Sequence, residues 1–279
     1  MEGVFDVMAY GPDNRYTPGQ PAGGWVNPAG FGYGAQTADA AAIDAGLRAY
    51  MLRVYNWMAS GLLLTGIVAF FIANNATVAK MFWTVGRSAS GYVAVQPTLL
   101  GWAAILSPLV FVLVLSFGIN RLSKTTAQAL FWAFCAAMGA SMSNIFFLYV
   151  GTSIASVFFI TAGTFAAMSL WGYTTGRDLS GMGSFLLMGL IGIILAGIVN
   201  IFLGSGVLAL AINVLGVLIF VGLIAYDTQR IKTDYIQFAY ADGVEMAGKR
   251  SVMDALQLYL NFINLFQFLL SLMGQRNSN

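Results

Sequence analysis

Seven apolar runs, each about as long as the ~20 residues a helix needs to cross a bilayer, constrain this chain more than any other feature. They fall at about 54–73, 99–118, 128–149, 152–171, 184–203, 207–227 and 252–273. Inside lipid the backbone must satisfy its own polar groups, so runs of this length cross as helices. The breaks carry turn chemistry: Asn74-Asn75, Gly118-Ile119-Asn120, Val150-Gly151, Gly172 to Gly183, Gly204-Ser205-Gly206 and the 228–250 connector. Pro108 inside the second run should kink it. With 58% hydrophobic and 9% charged residues over 279 positions, the chain has too little polar surface for a soluble globule. The predicted fold is all-α: a polytopic bundle of seven transmembrane helices.

Residues 1–36 are rich in Gly, Pro, Asn and Tyr and lack a basic segment followed by an apolar core. They are predicted to form a flexible cytosolic tail without a cleavable signal, ahead of a transmembrane domain over 37–279. From Thr37 to Arg53 a cap residue, an alanine run and the spacing of Ile43, Leu47, Tyr50 and Met51 predict a helix. It either lies on the membrane surface or extends the first span. Arg121, Lys124, Arg177, Arg230, Lys232, Lys249 and Arg250 follow even-numbered spans, and Arg48 and Arg53 flank the first. The turns after spans three and five have no Lys or Arg, so the N-terminus is expected in the cytosol and the C-terminus outside. The first outer loop, Asn74 to Thr98, offers Met81, Phe82 and Trp83 to the membrane interface.

The chain has no histidine and one cysteine, Cys135. That excludes an imidazole base, a histidine metal site and an internal disulfide, and leaves a perturbed carboxylate as the available proton sensor. A net charge of +2 is too small to imply nucleic acid. The stretch Gly172 to Ser180 lacks the Lys-Ser/Thr ending of a nucleotide loop and is read as a turn, with Ser180 or Ser184 capping span five. Without a base to activate any serine, the chain is not expected to be an enzyme, and no cofactor or resident metal is assigned. Gly189, Gly192, Ala196 and Gly197 predict tight packing of span five, and Asn144, Asn200 and Asn213 predict interhelical hydrogen bonds.

Asp254, Gln257, Asn261, Asn264 and Gln267 follow one another at spacings of 3, 4, 3 and 3, which puts them on one helical face. The rest of that run is apolar enough to sit in lipid, so the polar stripe must face inward. Such groups persist in hydrocarbon where they meet partners or line a wet path. Asp227 closes the sixth run, with Arg230 one turn on as an ion-pair partner. A carboxylate at a helix C-terminus opposes the macrodipole, so its position calls for another reason.

Asp227-Thr228-Gln229, together with Leu258-Tyr259-Leu260-Asn261-Phe262-Ile263-Asn264-Leu265-Phe266, resembles the C-terminal signature of the Bax inhibitor-1, or transmembrane Bax inhibitor motif, family. The likeness extends through Arg53 to Asn56, Gly172 to Ser180 and Gly189 to Phe202, in the manner of the bacterial branch. It implies seven helices with the last one central, in the inner membrane, and a pH-sensitive calcium leak controlled by two aspartates that share a proton. Asp227 matches the first aspartate; Asn261 stands where the second would be. Ca²⁺ would then be a transported ion, with Asp254, Gln257 and Asn264 along its path. The signature places position 261 opposite Asp227, whereas depth counted from the span ends would pair Asp227 with Asp254. The rival expectation is a non-conducting regulator that binds a partner such as a membrane-bound AAA protease. The sequence leaves the oligomeric state open.

Overall fold

The computed structural model describes residues 32–87, 93–118, 121–238 and 244–277, with side chains from Ile43 onward except those of Arg87, Val244 and Glu245. Residues 1–31 of the predicted tail lie outside the described residues. The chain divides into two units, Met1–Ala42 and Ile43–Asn279. In the first, the described residues are helical from Gly32, so Thr37 lies inside a helix and does not cap it.

The elements in order are α1 (Gly32–Asn74), α2 (Ala76–Phe82), β1 (Trp83–Arg87), β2 (Val93–Pro97), α3 (Leu99–Gly118), α4 (Lys124–Met142), α5 (Ile145–Leu148), α6 (Gly151–Thr174), α7 (Ser180–Leu203), α8 (Gly206–Phe238) and α9 (Val244–Met273). Among the described residues seven stretches are long and apolar enough to cross a membrane, α4 and α5 together forming the third. This is an all-α polytopic membrane protein. From Ile43 the first of these stretches is unbroken to Asn74, and Leu47, Tyr50 and Met51 are buried in the core. Those residues therefore extend the first span; the surface-helix alternative does not hold.

The last helix is the hub. Half of the spanning window of α9 is buried, against a third or less in every other span. Leu256, Leu258, Tyr259, Phe262, Leu265 and Leu270 are buried over about half of its circumference, a broad protein-facing side, while Gln267 and Ser271 on the other side are exposed. It packs against α4, α6 and α8. By contrast only 11% of the α7 window is buried, leaving residues such as Phe185, Ile191 and Phe202 to face hydrocarbon. Beyond α9 the chain folds back on the turn between α5 and α6: Val150 N donates to Gln275 O at 2.9 Å, and Asn277 N to Leu148 O at 2.9 Å.

Several local expectations are corrected. Trp83 opens an antiparallel hairpin in which it faces Pro97; it is 3% exposed, and its Nε1 donates to Ser143 Oγ at 2.7 Å. A tryptophan with a polar partner inside the protein has no need of the interface. In the small-residue stripe, a methyl at Gly189 would lie 3.0 Å from Ile219, but Gly192 and Gly197 face open space. Of the three asparagines, Asn213 bridges α8 to α9 by donating to Ser271 Oγ at 2.8 Å. Asn200 accepts from Ser205 N at 3.0 Å in the local turn, and Asn144 caps α5 without a side-chain hydrogen bond.

Candidate functional site

Helix α8 does not stop at Asp227. It continues to Phe238, eleven residues or about three turns further at ~3.6 residues per turn, so Asp227 is an interior position. The helix-dipole penalty acts within the last turn and does not reach it. Helix α9 likewise starts at Val244 and not near 252. Both helices thus gain length at the same end of the bundle, but counting from these ends still sets Asp227, eleven residues before Phe238, level with Asp254, ten after Val244, so the side-chain contacts decide its partner.

The two residues meet. Asp227 is 2% exposed, and its Oδ2 accepts from Asn261 Nδ2 at 2.7 Å and from Gln257 Nε2 at 3.2 Å. Arg230 NH2 lies 3.4 Å from Oδ1, one turn along the same helix. That contact is long for a charge-assisted hydrogen bond, which prefers about 2.7–2.9 Å. The Arg230 side chain is 39% exposed, and its buried Nε has no hydrogen-bond partner among the described residues. The carboxylate is held firmly by two neutral amides and loosely by one cation.

The rest of the predicted stripe disperses. Asp254 accepts from Tyr50 Oη at 2.5 Å, two turns from Asn261 and joined to α1 instead of to Asp227. Asn264 Nδ2 donates to Leu260 O of its own helix at 2.8 Å, and Gln267 is exposed. Asp227, Asn261, Gln257 and Arg230 form one cluster; Asp254, Asn264 and Gln267 lie outside it.

The two residues after Asp227 anchor its surroundings. Thr228 Oγ1 donates to Ile224 O at 2.8 Å, so its single proton is spoken for and it accepts from Ser169 Oγ at 3.0 Å. Ser169 in turn accepts from Tyr55 Oη at 2.6 Å, giving a directed hydroxyl chain from α1 through α6 to α8. Gln229 reaches the turn between α6 and α7: Oε1 accepts from Leu179 N at 2.8 Å and Nε2 donates to Arg177 O at 2.7 Å. Lys232 Nζ adds a bond to Tyr173 O at 2.8 Å and sits 5.1 Å from the center of that ring. In this turn Leu179 is the cap residue of α7, and Asp178 Oδ1 accepts from Ser180 N at 2.9 Å; neither Ser180 nor Ser184 caps.

Hydrogen bonds from the Ser180 side chain and backbone hold the Asp178 carboxyl below its ordinary 3.8. What it contributes to the turn is present above that ordinary value and is lost only as pH falls through the lowered one. It cannot supply a response near neutrality.

Tyr55 and Ser169 escaped the sequence reading, and Tyr50, Gln229 and Lys232 entered it without these roles. For the tyrosines a signal existed, because a phenol in an apolar helix must find a partner when buried. For Ser169 there was none, and the signature holds Gln229 without its contacts, since both roles depend on how three helices are rotated. Among the described residues no three His, Cys, Asp or Glu side chains group to hold a metal. The cluster at Asp227 offers one carboxylate and the amide oxygens of Asn261 and Gln257.

Residues 47–278 match the family described as "Inhibitor of apoptosis-promoting Bax1". The chain belongs to the Bax inhibitor-1 family. It is 46% identical to a protein of Caulobacter vibrioides, over 83% of this chain and 90% of that one. It is also 46% identical to the inner membrane protein YbhL of Escherichia coli strain K12, over 83% and 94%, and 33% identical to a membrane protein of Streptococcus pyogenes serotype M3, over 84% and 96%. The family match takes in all seven spans and the whole Asp227 cluster, so the site belongs to the shared part of the chain.

Proposed function

We propose that this Bax inhibitor-1 family protein is a calcium leak channel of the inner membrane whose path runs past Asp227, and that the conformation described is closed. The observation that carries the reading is a carboxylate buried between α8 and the central helix, with an arginine that is half free to leave it. Release of Arg230 would free the carboxylate, and the Asn261 and Gln257 amides, which now present N–H groups to it, would on turning over supply oxygens, the hard donors that Ca²⁺ prefers. YbhL is named an inner membrane protein, which supports the location. Calcium flux into proteoliposomes tests the assignment: Asp227→Ala should abolish the flux above empty vesicles.

The same experiment addresses pH. In the family picture two carboxylates share a proton; here Asn261 supplies an amide, and one carboxylate titrates without a coupled partner. Flux should therefore vary less between about pH 6 and 8 than in Asn261→Asp, where a pair is restored. Equal pH dependence in both proteins would remove the argument. The basic residues at the α6–α7 and α8–α9 ends support a cytosolic N-terminus and an external C-terminus. Reporters fused at Gly176 and after Asn279 should then fall on opposite sides, and the same side for both would overturn the orientation.

One observation favors a second reading. Asn261 saturates Asp227 oxygen directly, as a structural strut would. Flux no greater than that of empty vesicles in the wild type and in both variants would shift the assignment to a non-conducting regulator, one that engages a membrane partner such as a membrane-bound AAA protease.

A further inference from the structure

Arg230 has more hydrogen-bonding capacity than its contact with Asp227 uses. A guanidinium carries five N–H donors in a planar fork. Among the described residues its buried Nε has no partner, and its ion pair with Asp227 Oδ1 is 3.4 Å long. A second carboxylate within reach would engage what the first leaves idle.

The register of α8 against α9 supplies one. The two helices run antiparallel: Asn213 bonds Ser271, a methyl on Gly216 would meet Phe268, and Gln257 bonds Asp227, so each step forward along α8 is matched by an equal step back along α9. Three residues beyond Asp227, that register sets Arg230 opposite Asp254, which stands three before Gln257. Of the charged side chains around Asp254, Arg230 acts on it most strongly, ahead of Asp234 and Arg250. Asp234 is opposite Arg250 in the same register, so each of these carboxylates faces a cation across the interface. Asp254 is partly buried, and among the described residues its one hydrogen-bond donor is Tyr50 of α1, whose Oη lies 2.5 Å from Oδ2. Oδ1 is left for another donor.

We infer that Asp254 is the second station of Arg230: the guanidinium passes from Asp227 to Asp254 when the path opens, and Asp254 is thereby a positioning residue for the buried carboxylate. The consequence for flux rests on the calcium-leak reading; the exchange itself does not. Moving from one carboxylate to another about one turn (~5.4 Å) along the interface never leaves the arginine without a counter-charge, and a buried charge left unpaired is what makes breaking such contacts costly. The side chain is already 39% exposed, and its Nε has no hydrogen bond to lose. Asp227 keeps the Asn261 and Gln257 N–H groups as the arginine departs. Tyr50 opposes the exchange, because its hydroxyl already occupies Asp254, and this couples the first span to the site.

Calcium flux into proteoliposomes and unfolding in micelles, both on the whole chain, test the exchange together. Asp254→Asn keeps an oxygen for Tyr50 but loses the charge that receives Arg230, so flux should fall about fivefold, the factor one partly exposed ion pair supplies. Tyr50→Phe keeps the ring against Tyr235, 4.9 Å between centers, while freeing Asp254, and should raise flux by a comparable factor. Asp234→Asn, one turn beyond Arg230 on its own helix, should leave flux unchanged. Wild-type flux in both Asp254→Asn and Tyr50→Phe, or a loss in Asp234→Asn in place of Asp254→Asn, would overturn the exchange while leaving the leak in place. Wild-type flux no greater than that of empty vesicles would instead remove the leak reading, and unfolding then decides alone. In Asp227→Asn, which keeps an amide oxygen for Asn261, Arg230 has lost its first station. Arg230→Gln and Asp254→Asn should then couple about fivefold in the unfolding equilibrium constant, and far less when Asp227 is present. Additive losses in the Asp227→Asn background would overturn the proposal.

Discussion

Asp227→Ala should destabilize the bundle by about 3–5 kcal/mol, the range for removing one member of a buried charged contact. The loss comes from the groups left behind. Asn261 is 2% exposed, and the amide it points at Asp227 would have neither water nor another acceptor in reach of its present geometry. Hydrogen bonds to a charged group contribute about 1.5–3 kcal/mol each, so the Asn261 and Gln257 bonds account for most of the effect. Arg230 should matter far less. Its side chain is 39% exposed and its contact is 3.4 Å, and exposed ion pairs contribute at most ~1 kcal/mol. The expected order in reversible unfolding from detergent micelles is therefore Asp227→Ala, then Asn261→Ala, with Arg230→Ala last and under about 1 kcal/mol. An Arg230→Ala loss equal to that of Asn261→Ala would mean the ion pair, and not the amides, holds the carboxylate. That outcome would also weaken the proposed gate, which relies on an arginine that leaves cheaply.

The seven crossings were legible because hydrocarbon leaves so few options: a run of bilayer length with no charge has one stable form. Where the lipid ends, that logic stops working. Hydropathy falls at Asp227-Thr228-Gln229-Arg230, which suggests a helix end. Yet Ile231 is fully buried one turn later and α8 continues to Phe238, because a helix outside the lipid needs only one apolar stripe. The same reasoning truncated α9. Even at full helix length a residue count from the ends pairs Asp227 with Asp254, because it takes the two ends to lie level, and the contact with Asn261 shows that they do not. The family signature placed Asn261 correctly because it encodes which faces meet, and apolar periodicity does not. Asp227-Thr228-Gln229 illustrates the remainder: three consecutive residues point about 100° apart, to α9, to α6 and to the α6–α7 turn. A motif of adjacent polar residues can be a junction of three contacts, and only the assembled helices show which contact each one makes.

Gly172→Ala should be the most damaging single-methyl change near the site. The added carbon would sit 2.2 Å from Ala225 O and 2.9 Å from both Ala225 C and Cα. These are backbone atoms in the middle of α8, so no rotamer change relieves the overlap, and α6 must move away from α8 as a body. Overpacking typically costs 1–3 kcal/mol, and a contact against rigid backbone belongs at about 3 kcal/mol. Ala225 lies two residues before Asp227, and Ser169 lies one turn before Gly172, so the displacement also loosens the Ser169 bond to Thr228. Gly192→Ala supplies the contrast. Gly192 is exposed and has nothing within 4 Å of a new methyl, so the substitution gains helix propensity, up to ~1 kcal/mol, and should leave stability unchanged or raised. Sequence spacing alone favors Gly192, through its small-xxx-small relation to Ala196, as the residue that cannot be enlarged. The close approach instead belongs to Gly172, where α6 crosses α8 beside the buried carboxylate. Unfolding of the two variants in the same micelles decides between these positions. Equal losses would mean that α6 and α8 can separate freely, and that the placement of Asp227 against α9 does not depend on their contact.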